Sequence, residues 1–212
     1  MKNVLFVILG LIVMTTQGFG QDKKAGEILK KLTEQTKAYK SIKVGFTYRM
    51  QNEAAGLDEK MEGVLATQGE NYRLQIAGQD IISDGQTVWT YIEEINEVQI
   101  NLVSEDEDAI TPKKLLGNYY ENYKAKYEEK ITIKGRAMDV LELIPNEGKK
   151  YKKILLTIDK AKNQIYSMQI LDKNDNIFSY EVKEFLNDLA FGENEFIFDA
   201  DKYEDLEIVD MR

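Results

Sequence analysis

Carboxylates are the one abundant class of side chain here able to do acid–base work: 37 of the 212 residues are Asp or Glu, and there is no histidine and no cysteine. Without histidine there is no Ser-His-Asp triad, no Cys-His pair and no HExxH zinc helix, and without cysteine there is no thiolate metal site and no disulfide framework. Two carboxylates flanking one bond would suit glycoside hydrolysis. No pair stands out, because the acids sit mainly in turns and on polar strand faces. Asp172-Lys173-Asn174-Asp175-Asn176 imitates the opening of a calcium loop, but Ile177 stands where that loop requires glycine and Lys183 where it requires a bidentate acid. It reads as a hairpin turn. The acidic run 105–108 offers weak attraction to a cation or a basic partner, and a solvated loop ahead of a helix is the plainer reading. Tyr119, Tyr120, Tyr123 and Tyr127 would make a stacking surface for bases or sugars, yet no basic groove accompanies them. Phosphate-cradling glycine loops are absent. The chemistry-bearing residues point away from an enzyme, a metal centre or a cofactor and towards a binding protein.

Residues 1–20 read as a secretory signal: Lys2 at the start, an apolar stretch from Val4 to Met14, and Gly18-Phe19-Gly20 as a small-x-small cleavage site before Gln21. Polar Thr15-Thr16-Gln17 follows an apolar run shorter than the roughly 20 residues a spanning helix needs, which argues against a retained anchor. Residues 21–212 are expected to form one domain. Loss of Lys2 takes 28 basic residues to 27, and against 37 acids the formal charge becomes −10. Such a surface repels nucleic acid and anionic headgroups, so neither is an expected partner.

The elements that must position any site follow from periodicity. Asp22 can cap a helix carrying Ala25, Ile28, Leu29, Leu32, Thr36 and Tyr39 on one face. From Ile42 the period changes to two, with Ile42, Val44, Phe46, Tyr48 and Met50 on one side of a long strand. Further alternating runs are expected at 61–67, 72–77, 79–83, 87–92 and 98–103. A short helix follows Thr111-Pro112 and carries Leu115, Leu116, Tyr119 and Tyr120. Strands resume at 123–129, 131–134, 138–144, 153–159, 164–171 and 177–186, with a last run at Phe196-Ile197-Phe198 before an irregular tail. The fold class is mainly β (α+β): about a dozen antiparallel strands in one strongly curved sheet, with two helical pieces whose apolar faces need burying. A sheet that curls without closing would receive the helices across its mouth or in its concave face, enclosing an apolar cavity.

Ile81-Ile82-Ser83-Asp84-Gly85-Gln86-Thr87-Val88-Trp89-Thr90-Tyr91 is a strong hairpin signal, because Asp and Gly both tolerate the positive φ of a tight turn. The segment resembles the I-x-S-D-G-x-T-x-W-x-Y hairpin of the LolA family of periplasmic lipoprotein carriers. Other checkpoints come in the same order: the first helix, the strand from Val44 to Met50, Glu62-Gly63-Val64-Leu65, the helix after Ile110-Thr111-Pro112, the strand from Ile154 to Asp159, and an ending in Phe196-Ile197-Phe198 and Leu206-Glu207-Ile208-Val209-Asp210. Where well-known members carry an Arg-Pro pair tied to lid closure, this chain has Gly69-Glu70, and its tail has Tyr203-Glu204-Asp205 in place of the usual proline.

The resemblance implies an incompletely closed antiparallel β-barrel with a helical lid over an apolar cavity, in a non-enzymatic, monomeric carrier that needs no cofactor. Its partners would be acylated lipoproteins received from an inner-membrane ABC-type release complex and passed to an outer-membrane acceptor. The residues expected to line the cavity are Val44, Phe46, Tyr48, Met50, Leu65, Leu74, Ile76, Trp89, Tyr91, Ile100 and Leu102, with Leu115, Leu116 and Tyr119 as lid. A lipid- or lipoprotein-sensing regulatory module on the same half-barrel scaffold is the alternative. A structural protein with a filled core is a third.

Overall fold

A computed structural model describes residues 17–103, 123–145 and 151–212. Helix α1 (Gln17–Ala38) precedes β1 (Ile42–Asn52), β2 (Leu57–Gln68), β3 (Asn71–Ile76), β4 (Gln79–Ser83), β5 (Thr87–Ile92) and β6 (Glu97–Leu102). Then come β7 (Tyr123–Ile133), β8 (Arg136–Pro145), β9 (Tyr151–Asp159), β10 (Gln164–Asp172), β11 (Ile177–Asn187) and the short β12 (Glu207–Asp210). The second predicted helix and its lid residues Leu115, Leu116 and Tyr119 lie outside the described residues, as does most of the predicted signal segment. The helix starts at Gln17, ahead of the cap predicted at Asp22.

All twelve strands form one sheet in the order β12-β6-β5-β4-β3-β2-β1-β11-β10-β9-β8-β7. Neighbours pair antiparallel except β12, which runs parallel to β6. Among the described residues the sheet ends at β12 and β7, so the barrel is incompletely closed. Two meanders, β1–β6 and β7–β11, are joined where β1 pairs with β11. The runs predicted at 123–129 and 131–134 are one strand, because a bulge between Tyr127 and Glu129 absorbs the break in alternation. Phe196-Ile197-Phe198 is not a strand, and the tail predicted to be irregular supplies β12 instead.

The apolar stripe of α1 explains where the helix rests. Ala25, Leu29 and Leu32 recur at helical spacing and form one buried cluster with Tyr127, Leu141, Leu143, Ile154, Leu156, Ile158, Met168 and Ile170 of β7–β10. Polar groups fix the seat. The Asn163 amide donates to the Lys31 carbonyl at 3.1 Å and to Gln35 Oε1 at 2.8 Å, and the Lys24 ammonium lies 3.2 Å from the centre of the Tyr127 ring. Tyr127 and Tyr123, read as a possible stacking surface, are structural: Tyr127 donates to buried Asp139 at 2.9 Å, and the Tyr123 and Tyr151 hydroxyls meet at 2.8 Å.

The Asp172 segment is indeed the β10–β11 turn. Asp172 Oδ1 accepts the backbone N–H groups of Asn174 and Asn176, which occupies the carboxylate with the chain's own amides. Ser83-Asp84-Gly85 is equally structural. The buried Ser83 hydroxyl donates to the Thr87 carbonyl at 2.9 Å and accepts the Gly85 N–H at 3.2 Å, while Asp84 Oδ1 accepts from the N–H groups of Gln86 and Thr87. Within this turn only Gly85 takes a positive φ, +89°, so Asp84 acts as an acceptor and not as a second left-handed residue.

Candidate functional site

Opposite residues on paired strands share a face, so register decides which side chains meet. Tyr48 pairs with Tyr180, Tyr180 with Met168, Met168 with Leu156 and Leu156 with Leu141, which puts Tyr48 on the face against which α1 packs. Along β1, Val44, Phe46 and Met50 share it, opposite Phe185, Val182 and Phe178 of β11. On the other flank Val44 faces Leu65, Leu65 faces Leu74, and Leu74 faces Ile81. Ile76 reaches the same face through the pairs Phe46–Gly63 and Gly63–Ile76. The structure therefore brings together seven of the predicted residues on the helix side: Val44, Phe46, Tyr48, Met50, Leu65, Leu74 and Ile76.

Ile42, Val44, Phe46 and Leu65 form a buried cluster, and Tyr39, Tyr48, Tyr72, Leu74, Ile76, Tyr180, Val182 and Phe185 pack around it only partly covered. Aromatic rings run along the β1–β11 seam, with Phe46 5.9 Å and Tyr48 5.2 Å from Tyr180, and Tyr39 5.9 Å from Phe185. The tip of the Phe46 ring lies over Gly63: a Cβ on Gly63 would come within 2.5 Å of the ring. That contact gives the Glu62-Gly63-Val64-Leu65 element its glycine. Burial, and then the neighbouring Tyr48, push the Tyr180 hydroxyl up to about 12. Tyr72 is raised by burial, and Tyr48 by burial and then Glu59. All three stay neutral near pH 7, so the face offers apolar surface edged with uncharged hydroxyls.

The other four predicted cavity residues require a correction. Trp89 pairs with Ile82 and Ile100, and Ile82 with Arg73; Tyr91 pairs with Asp80 and Val98; Leu102 pairs with Thr87. Trp89, Tyr91, Ile100 and Leu102 thus point away from α1. The side chains that β5 directs towards the helix side are Val88, Thr90 and Ile92. Tyr91 packs instead against Phe198 and Tyr203 of the C-terminal segment, at 6.1 and 4.4 Å between ring centres, and Phe198 stacks on Tyr203 at 5.1 Å. Ile82 and Val98 are buried on this outer face, and Leu102 is largely exposed at the sheet margin.

Sequence reasoning missed the contribution of β11. Phe178, Tyr180 and Val182 alternate along a run that was recognised as a strand, so their common face was legible; their position beside β1 was not. Gly69-Glu70, which stands in place of the Arg-Pro pair of well-known members, forms the β2–β3 turn, with Gly69 at φ +62° and Glu70 against Gly85. Among the described residues no group of three or more potential ligands could hold a metal ion, and no helix is long and apolar enough to cross a membrane.

An open antiparallel sheet holding a helix against one face, with an adjoining apolar and aromatic wall left partly uncovered, defines a half-barrel binding fold. The profile of the outer membrane lipoprotein carrier protein LolA family matches residues 29–199, and the chain belongs to that family. Among solved structures it is similar to an uncharacterized conserved protein from Thermus thermophilus, with 15% identity, 88% of this chain and 99% of that one covered, and a TM-score of 0.59. It is also similar to an outer membrane lipoprotein-sorting protein domain from Vibrio parahaemolyticus, with 12% identity, 83% and 97% coverage, and a TM-score of 0.50. At these identities the likeness concerns the fold. Comparison with curated proteins gives no match.

Proposed function

We propose that this protein is a carrier that holds the acyl chains of lipoproteins against the helix-side face of its half-barrel and moves them through the periplasm from the inner to the outer membrane. The observation that carries the reading is the wall formed by Val44, Phe46, Tyr48, Met50, Leu65, Leu74 and Ile76, part of which stays uncovered beside a face that α1 fills. Membership of the LolA family supports it. The physical need is plain: at ~0.8 kcal/mol per CH₂, one 16-carbon chain exposed to water costs about 12 kcal/mol. A half-open wall recovers part of that and leaves the remainder to drive release. Cargo would arrive from an inner-membrane ABC-type complex and leave to an outer-membrane acceptor, with the chain exported by residues 1–20 and acting as a monomer without catalysis or cofactor.

Native mass spectrometry of the mature protein with a triacylated lipopeptide, and separately with the same peptide lacking acyl chains, tests this. A one-to-one complex with the acylated form alone is expected. No complex with either would refute acyl-chain binding and favour a filled core.

A further inference from the structure

Tyr180 stands where the two halves of the helix-side face meet, packed both against the cluster beneath α1 and against the cluster around Phe46. Phe46 and Tyr48 of β1 hold its ring, at 5.9 and 5.2 Å between centres, and Phe178 stacks on Tyr48 at 6.5 Å. Phenylalanine would pack as well at both tyrosine positions, so the two hydroxyls need a separate reason. Tyr39, on the same wall, has one: its hydroxyl accepts from Gln35 Nε2 at 2.7 Å. The hydroxyls of Tyr48 and Tyr180 make no hydrogen bond to a described residue. Neither is sealed in, because among the described residues Thr33 Oγ1 alone is a fully enclosed side-chain polar atom without a partner. Both therefore reach the uncovered side of the wall, and burial keeps both protonated, as donors, well above pH 7.

We propose that Tyr48 and Tyr180 form a two-donor anchor for the ester carbonyl oxygens of the cargo's acyl chains, so that this wall selects acyl esters over plain alkyl chains. The inference rests on the carrier reading and adds a chemical specificity that apolar surface alone lacks. A ligand that fits has an apolar tail for Phe46 and Leu65 and an uncharged acceptor at its head. A carboxylate head is disfavoured, since Glu59, opposite Met50, is near enough for its charge to raise Tyr48, and the chain as a whole carries −9. An ester carbonyl is neutral and accepts well. The neighbouring rings fix the two donors before cargo arrives, so little ordering is required when the hydrogen bonds form.

Fluorescence titration, below the micellar range, with a lipopeptide bearing two ester-linked dodecanoyl chains and with its analogue bearing two ether-linked dodecyl chains tests the anchor. The protein should bind the ester about tenfold more tightly, the effect of two neutral hydrogen bonds. Y48F/Y180F keeps every ring and should lose that preference, binding the ester about tenfold more weakly and the ether within about twofold of the parent. Tyr39→Phe, whose hydroxyl is already engaged, should keep the preference. Equal affinity of the parent for ester and ether, or an unchanged preference in Y48F/Y180F, overturns the anchor and leaves the carrier reading standing, because both lipids still bind. An equal drop for both lipids in Y48F/Y180F also overturns it, since that reports a damaged wall. Free dodecanoate binding as tightly as the ester would do the same by making the head a carboxylate, and failure of both lipopeptides to bind removes the anchor and the carrier reading together.

Discussion

Replacement of Gly63 by alanine tests whether the helix-side wall is built around Phe46. The added Cβ would stand 2.5, 2.9 and 3.1 Å from three carbons of the Phe46 ring, against ~3.5–4.0 Å for an ordinary contact. The ring must therefore move by about 1 Å. It has little room, being 7% exposed and held 5.9 Å from Tyr180. Overpacking of this kind costs about 1–3 kcal/mol. For a chain of this size each kcal/mol lowers Tm by about 2–4 °C, so Gly63→Ala should melt roughly 2–12 °C below the parent. Urea denaturation gives the free energies, and a double-mutant cycle isolates the contact. Phe46→Leu alone should destabilise by about 1 kcal/mol or more, but in the Gly63→Ala background it should cost nothing or restore stability, because the smaller side chain vacates the space the methyl occupies. An unchanged midpoint for Gly63→Ala, or additive effects in the cycle, would show that Phe46 does not lie over Gly63.

Alkaline pH should destabilise the protein through its partly buried tyrosines. The Tyr180 hydroxyl is raised from 10 to about 12, so between these values the unfolded chain releases a proton that the folded one retains. Stability is complete below pH 10 and falls as pH rises, by at most about 1.4 kcal/mol per pH unit from this group. The urea midpoint followed from pH 8 upward should show the decline, and Tyr180→Phe should flatten it; an equal slope in the variant removes Tyr180 as its source. Leu74→Asn or Ile76→Asn, on the half-covered wall, should weaken binding of an acylated peptide about fivefold, since half-burial of such a side chain is worth about 1 kcal/mol, while Ile100→Asn on the opposite face should leave binding unchanged. Fluorescence titration with the same peptide distinguishes the two faces, and equal losses at all three positions would contradict the register. Ser83→Ala removes a buried hydroxyl that serves the Thr87 carbonyl and the Gly85 N–H, so it should cost about 1–2 kcal/mol in urea melts without changing acyl-peptide affinity. The exported protein should begin at Gln21, as read from its intact mass; retention of residues 1–20 would refute the signal assignment.

Legibility in the sequence varied from strand to strand for physical reasons. In β1, apolar Val44, Phe46 and Tyr48 alternate with Lys43, Gly45, Thr47 and Arg49, so both the strand and its inward face could be read. In β5, Thr87-Val88-Trp89-Thr90-Tyr91-Ile92 is apolar on both sides, and alternation says nothing about which side faces the helix. Its face is set two turns upstream. The Ala77-Gly78 turn, with both residues at positive φ, fixes the pair Leu74–Ile81, and the three-residue connection through Gly85 then pairs Ile81 with Thr90. A large aromatic pair at Trp89 and Tyr91 invites assignment to a cavity, yet the tail supplies Phe198 and Tyr203 to cover that side. Nothing local in β5 or β6 announces a partner more than 100 residues away. The same holds for β1 and β11, whose pairing places Tyr180 beside Tyr48 although each strand was recognisable alone.

The division of labour across the helix-side face follows from which strands α1 covers. Leu141, Leu143, Leu156, Ile158 and Ile170 are almost completely buried beneath the helix, and their packing leaves nothing to exchange with a ligand. Across β1–β3 the same face keeps Tyr48, Leu74 and Ile76 only partly covered. An apolar side chain already buried gains no further transfer energy from a ligand, whereas a half-covered one still holds part of its ~1.5–3 kcal/mol. Any acyl-chain affinity must therefore come from half-covered side chains such as those of β1–β3 and β11, and substitutions of the fully buried residues under α1 should change stability alone. Leu156→Ala and Leu74→Ala make the comparison. The first should cost about 2–5 kcal/mol of folding free energy with unchanged ligand affinity in whatever fraction folds; the second should cost less stability and lower the affinity. If Leu156→Ala weakened binding as much as Leu74→Ala, the ligand would have to displace the helix, and α1 would itself be the moving element.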